Sequence, residues 1–247
     1  MGLSADWIAT VNDGLKNVAW DDYHTLIQAE VGPLVCMANP IAYNPRFFLD
    51  GSTGYTGVNW LLVKAMMWVE SGAKSPAWKT RPMQFANDGD PALGVLKAGR
   101  EGSDVVMDAS LAKAIKNGPI DTPELNIRAG MAYLFTRMAK FTVRSVLDKN
   151  DASIRLEKVR SGDNLWIIAK RVGTTVDELT LQRQSVSSAV IRVGDVLRYR
   201  PAAMKQVIFA WREWTTSNIA DRYNSGGDPN YQAKLDHVLQ LFPKLKR

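Results

Sequence analysis

Apolar positions recur at roughly helical spacing through much of residues 5–36, 59–71, 104–117, 124–147 and 203–220, with a short last stretch at 231–242. A period near 3.6 predicts helices in each. The intervening segments carry the breakers: Gly51 to Gly57, Pro76 to Gly102 with its Asp88-Gly89-Asp90-Pro91 turn, Asn117-Gly118-Pro119, and Ser225-Gly226-Gly227-Asp228-Pro229. Thr122-Pro123-Glu124 reads as a helix start, with proline at an early position and an acid beside the positive end of the dipole. Residues 156–200 have a different texture. Leu156 to Arg160 reads as a strand, Ser161-Gly162-Asp163 as a turn and N-cap, and Leu165 to Val172 as a helix stopped by Gly173. Thr174 or Thr175 then caps a second helix, Val176 to Leu181, and Val196 to Tyr199 follows the Val193-Gly194-Asp195 turn as a closing strand. So small a β-α-α-β unit has few apolar residues to pack: Val159, Leu165, Trp166, Ile168, Ala169, Leu179, Ile191 and Leu197 are its expected core.

Composition narrows the class without choosing a function. The 247 residues are 46% hydrophobic, enough for one large domain or one domain with a small module, and disorder is excluded. A net charge of +6 favours an anionic partner such as nucleic acid, a membrane surface or cell-wall polymer. The charge is dispersed and forms no basic stripe with aromatic interleaving, which argues against nucleic acid. The longest apolar run, Trp60 to Val69, is interrupted by Lys64 and is about half a membrane span, so membrane insertion is not expected. Cys36 is the only cysteine, which excludes an internal disulfide. His24 and His237, the only histidines, lack ligands at metal spacing, so neither a metal nor another cofactor is expected. The start, Met1-Gly2-Leu3-Ser4-Ala5-Asp6-Trp7, lacks the basic and apolar regions of a classical signal peptide, so synthesis in the cytoplasm is expected.

The small module carries the more specific motif. Val159 to Ala169, then Gly173-Thr174-Thr175-Val176-Asp177-Glu178-Leu179, then Ile191-Arg192-Val193-Gly194-Asp195-Val196-Leu197, resemble a LysM domain from end to end. The resemblance implies binding of N-acetylglucosamine-containing polymers, peptidoglycan or chitin, in a shallow groove formed by Gly162, Asp163, Asn164, Leu165, Ile191 and Arg192. Thr180-Leu181-Gln182 stands where the family has an asparagine. A solvated spacer that binds nothing is the competing reading.

Glycosidic cleavage needs an acid still protonated near neutral pH. The segment Asn59 to Ser71 is apolar nearly all round, as a buried helix is, and Glu70 stands in its last turn. Desolvation and the negative end of the helix dipole both disfavour its ionisation there. The local pattern alone favours the other reading, in which Glu70 is merely the first solvated residue of a surfacing helix. The wider order is more telling: Glu70-Ser71, Arg81-Pro82-Met83-Gln84-Phe85, the stretch Pro123 to Leu134 containing Asn126, Gly130 and Tyr133, and Ile219 to Gly227 containing Tyr223-Asn224. Together these resemble lytic transglycosylases of lysozyme-like fold, related to goose-type lysozyme. The resemblance implies Glu70 as acid then base, forming a 1,6-anhydro end on N-acetylmuramic acid, with Tyr223 orienting it. Ser71, Met83, Gln84 and Asn224 would bind substrate or shape the cleft, while Asn126 and Gly130 would serve helix packing.

Two departures bear on chemistry. Arg81-Pro82 replaces Gly-Leu before Met83-Gln84, and Ala86 occupies the place where hydrolytic goose-type lysozymes carry a water-positioning aspartate. The second favours transglycosylation. A hydrolytic muramidase using Asp88 or Asp90 as second carboxylate is the alternative, and a non-catalytic cell-wall binding protein is another. The expected fold is α+β: a mainly helical lysozyme-like domain in two parts, residues 1–154 and 201–247, with a LysM module inserted at 155–200. The run Tyr223 to Tyr231 with an internal LysM resembles cell-wall hydrolases associated with bacterial type VI secretion, which implies an antibacterial effector acting in a target cell's periplasm or wall. Such an effector would have a cognate immunity protein and use a secretion apparatus as partners; a phage lysis enzyme is the other delivery reading.

Overall fold

The computed structural model describes residues 2–31, 58–181 and 190–245. Cys36, the breaker Gly51 to Gly57 and Gln182 lie outside the described residues. The chain is α+β and divides into two compact units, Met1–Phe141 with Ile208–Arg247, and Thr142–Val207.

The larger unit begins with α1 (Ala5–Asn12), α2 (His24–Val31) and α3 (Trp60–Glu70), continues through α4 (Pro91–Lys97), α5 (Ser103–Val106), α6 (Ala109–Asn117) and α7 (Pro123–Met138), and leaves along β1 (Ala139–Leu147). The smaller unit contains β2 (Arg155–Lys158), α8 (Leu165–Val172), α9 (Val176–Leu181) and β3 (Val196–Tyr199). The chain returns along β4 (Ala202–Trp211) to α10 (Thr216–Ile219), a π-helical turn (Ala220–Asn224) and α11 (Tyr231–Leu241).

Strands β1 and β4 pair with each other. Bonds from Asp148 N–H to Pro201 O and from Arg212 N–H to Met138 O make the ribbon antiparallel. The helical period read over 124–147 and 203–220 is therefore overturned in part: α7 stops at Met138, and 202–211 is a strand. The ribbon sequences Phe141-Thr142-Val143 and Val207-Ile208-Phe209 are rich in β-branched and aromatic residues, and cross-strand pairing outweighs an apolar spacing that fits either period. The helical stretch read over 5–36 is also broken as far as it is described: α1 ends at Asn12, and a 3-10 turn follows in which a Cβ on Gly14 would lie 2.5 Å from the Trp68 ring. The stretch 104–117 breaks at Asp108, whose side chain caps α6.

Helix α3 is the axis of the larger core. Leu62 to Trp68 are buried, and α2 and α11 pack against it. Lys64 is tolerated inside because its Nζ reaches Asp21 at 2.7 Å and lies over the Trp68 and Phe242 rings. Asn59 caps the helix start. Gly72 ends it in a left-handed conformation (φ +64°), where an added Cβ would also strike Trp20. Glu70 thus emerges where a buried helix meets a tightly packed turn.

In the smaller unit β2 and β3 are antiparallel, with Arg155 opposite Tyr199 and Lys158 opposite Val196. Its core is Val159, Ile168, Ala169, Leu179, Leu197 and Tyr199, with Leu165 and Ile191 packed at the margin. Trp166, expected inside, is 63% exposed, because α8 buries the face bearing Ile168 and Ala169. Lys170 lies over the outward-turned indole instead.

Candidate functional site

Glu70 is half-buried at the C-terminal end of α3, and Tyr231 at the start of α11 donates its hydroxyl to Glu70 Oε1 at 2.7 Å. Burial pushes the Glu70 carboxyl up to about 7; the Tyr231 bond and Lys234 pull the other way, while the Asp228 and Asp90 charges add to the rise. This is a carboxyl poised to be an acid near neutral pH.

A loop after α3 is tied to the end of that helix. Ser71 Oγ donates to the Pro82 carbonyl at 2.8 Å, strapping the helix end to the loop. Gln84 (φ +49°) and Ala86 (φ +64°) both adopt left-handed backbone, each at a cost on the order of 1 kcal/mol. Three side chains hold that conformation. Buried Asn126 bridges Met83 N–H and the Phe85 carbonyl, Asp90 accepts from Ala86 N–H, and Asn87 donates to the Gln84 carbonyl. Gln84 donates to the Arg81 carbonyl, so its amide is engaged within the loop. Met83 is 1% exposed and packs on Gly130, which places its side chain in the core rather than on a cleft wall.

The returning chain contributes further contacts. Tyr223, in the π-helical turn, directs its hydroxyl to the Met83 carbonyl at 3.4 Å and packs its ring against Tyr133. Its hydroxyl does not bond Glu70; the hydrogen bond to the Glu70 carboxyl comes from Tyr231. Burial first, then the Glu70 charge, raises both phenols well above the ordinary tyrosine value, so both remain donors. Asn224 Nδ2 donates to the Asp228 carbonyl and fixes the loop leading to α11.

The acids whose charge reaches Glu70 are occupied. Asp90 accepts from Ala86 N–H and Ala92 N–H, and Asp228 accepts from Asn230 N–H and Lys234 Nζ. Asp88 is exposed in the turn before α4. Among the described residues no cluster of His, Cys, Asp or Glu could hold a metal ion, and no helix is long and apolar enough to cross a membrane.

In the smaller unit the turn after β2 and the loop before β3 lie side by side, joined by Val159 N–H to Asp195 O and Gly194 N–H to Val159 O. Each is closed by an aspartate: Asp163 accepts from Arg160 N–H and Asp195 from Arg192 N–H. Gly162 sits at φ +81° in the first turn. Asp163 is also clamped by both terminal nitrogens of Arg171, the chief cause that lowers it to about 2. Asn164 caps α8 through Ile167 N–H. Asp163 and Asn164 therefore build the turn, while Gly162 and Arg192 are exposed and Leu165 and Ile191 are half-buried between module core and surface.

Residues 158–199 match the LysM domain family, and this segment is a LysM domain. LysM domains bind peptidoglycan- and chitin-type glycans. No curated protein and no solved structure matches the chain.

Proposed function

We propose that the larger unit cleaves the β-1,4 bond between N-acetylmuramic acid and N-acetylglucosamine in peptidoglycan as a lytic transglycosylase, while the LysM domain holds the glycan. The observation that carries this reading is the state of Glu70: one carboxyl, raised to about 7, with Oε1 bonded to Tyr231. As Glu70 gives its proton to the glycosidic oxygen, the bond to the muramic C1 breaks and N-acetylglucosamine leaves with a free hydroxyl. The muramic C6 hydroxyl then attacks C1 and returns its proton to Glu70, so the enzyme is regenerated and no water is consumed. Hydrolysis would need a second carboxylate or a positioned water. The engagement of both oxygens of Asp90 and of Asp228, and alanine at position 86, favour ring closure.

Mass spectrometry of products from purified sacculi tests the reading. Anhydro ends from the wild type and none from E70Q are expected. Reducing ends would replace it with muramidase chemistry through Asp88 or Asp90, and equal release by E70Q would remove Glu70 from catalysis. No release by either protein would leave a cell-wall binding protein. The same reading places the site of action in the periplasm or wall, and the motif resemblance favours delivery as a type VI secretion effector with a cognate immunity protein. Periplasm-directed expression should then arrest growth, and normal growth would count against the effector role.

A further inference from the structure

We propose that Tyr231, and not Tyr223, positions the Glu70 carboxyl, and that by occupying Oε1 it leaves the acidic proton on Oε2, the oxygen that faces substrate. This rests on reading Glu70 as the catalytic acid. The direction of the bond follows from the surroundings. Tyr231 is 2% exposed, and among the described residues no acceptor other than Glu70 bonds its hydroxyl. If the carboxyl donated to the phenol, the phenolic hydrogen would be buried without a partner, a cost a native site avoids. The phenol therefore donates. The oxygen that receives it is the carbonyl-like one, since the hydroxyl oxygen of a neutral carboxyl is the poorer acceptor.

Oε2 is the complement. It has no hydrogen-bond partner among the described residues, yet it is absent from the buried, unsatisfied atoms of the structure, so it reaches solvent. One oxygen is held by Tyr231 and the other is left without a partner among the described residues. Such an arrangement holds the carboxyl in one orientation before substrate arrives, which removes rotational freedom from the proton-transfer step. The charged and titratable groups facing Glu70 are Tyr231, Asp228 and Lys234 from the C-terminal segment, Asp90 from the start of α4, and Tyr223 from the π-helical turn. Tyr231 alone among them bonds the carboxyl directly. Asp228 and Lys234 pair with each other at 2.7 Å, one three residues before Tyr231 and the other three after it. The segment 228–234 thus supplies both the bond and a nearly neutral flank.

The experiment is a ¹³C NMR titration of the Glu70 carboxyl in the full chain, assigned with E70Q, alongside the pH dependence of kcat and KM on soluble glycan strands. In Y231F the Glu70 midpoint should rise by about one pH unit, because a bond favouring the charged form is lost. The kcat should fall at least tenfold with KM nearly unchanged, as expected when an interaction acts on the reacting group rather than on substrate. Y223F should leave the Glu70 midpoint in place. Incorporation of 3-fluorotyrosine at position 231 strengthens the donor and should move the midpoint down, which keeps the test decisive if Y231F folds poorly. An unmoved midpoint in folded Y231F, or a larger shift in Y223F, would overturn the assignment. The titration reads the pairing even where sacculi stay intact, so the positioning role and the proposed activity fail separately.

Discussion

Asn126 closes on Met83 from the first turn of α7: its Oδ1 accepts from the Met83 N–H at 2.9 Å while its Nδ2 donates to the Phe85 carbonyl at 2.8 Å. Both bonds are buried, and they span the residue, Gln84, whose backbone is left-handed. Replacing Asn126 by alanine strands one buried donor and one buried acceptor, each costing about 1–3 kcal/mol. N126A should therefore lose roughly 2–4 kcal/mol in urea denaturation. Its cleavage of glycan should fall with kcat and KM affected together, because the loop it holds carries the carbonyl that receives Tyr223. Wild-type stability for N126A would show that the loop holds itself.

Gly130, one turn further along α7, makes room for the same methionine. A Cβ at position 130 would lie 2.8 Å from Met83 Sδ and 3.0 Å from its Cβ. The sulfur can rotate away, but the Cβ is tied to the loop backbone that Asn126 fixes. G130A should cost about 1–3 kcal/mol of stability by overpacking. The double variant M83A/G130A should show a smaller loss than the two single costs summed, since each change relieves the other's misfit. Strict additivity would mean that the two residues do not share the space described.

The sequence pattern marked the elements that carry their own local signals. Gly173 ends α8 and Thr122 caps α7, at the positions their residue types predict. Glu70 stood out less through its helix, where it reads as a surfacing residue, than through the order of Glu70-Ser71, Met83-Gln84 and Tyr223-Asn224 along the chain. The ribbon was not, since 139–147 and 202–211 are strands through pairing across a long separation, and no local period records that. Tyr231 was hidden for a related reason. It shares the buried face of α11 with Leu235, Val238 and Leu241, and in sequence it looks like one more core position. What could have singled it out is that a buried tyrosine needs a hydrogen-bond partner. Naming that partner required knowing that α11 packs on α3, 161 positions away.

The raised Glu70 carboxyl has a consequence for stability. Its folded-state value of about 7 lies above the ordinary glutamate value of 4.5, so between these limits the folded chain holds a proton that the unfolded chain has released. Glu70 therefore favours folding most below about 4.5, loses that contribution as pH rises, and reaches its least favourable level above about 7. The full swing is on the order of 3 kcal/mol. E70Q stays neutral and retains an oxygen for Tyr231, so its stability relative to wild type should climb between pH 5 and pH 8. Urea denaturation of both proteins at the two values measures this directly. A constant difference would mean that Glu70 titrates alike in the folded and unfolded chains.

The ribbon makes the LysM domain separable in a way that simple truncation is not. Ending the chain at residue 150 removes α11, and with it the buried side chains of Tyr231, Leu235, Val238 and Leu241 that cover α3. At about 1.5–3 kcal/mol for each fully buried aliphatic side chain, the leucines and valine alone amount to several kcal/mol, comparable with the whole stability of a typical domain. The truncated chain should be unfolded by circular dichroism. Excising 142–207 instead leaves Phe141 and Ile208 on paired strands, near enough for a two-residue hairpin turn to join them. That variant should keep helical content and cleave soluble glycan strands, while losing retention on sacculi in a pull-down because the LysM domain is gone. Unfolding of the excised chain would show that the larger unit depends on the smaller one for its stability. Undiminished sacculus binding would show that the larger unit carries the glycan affinity itself.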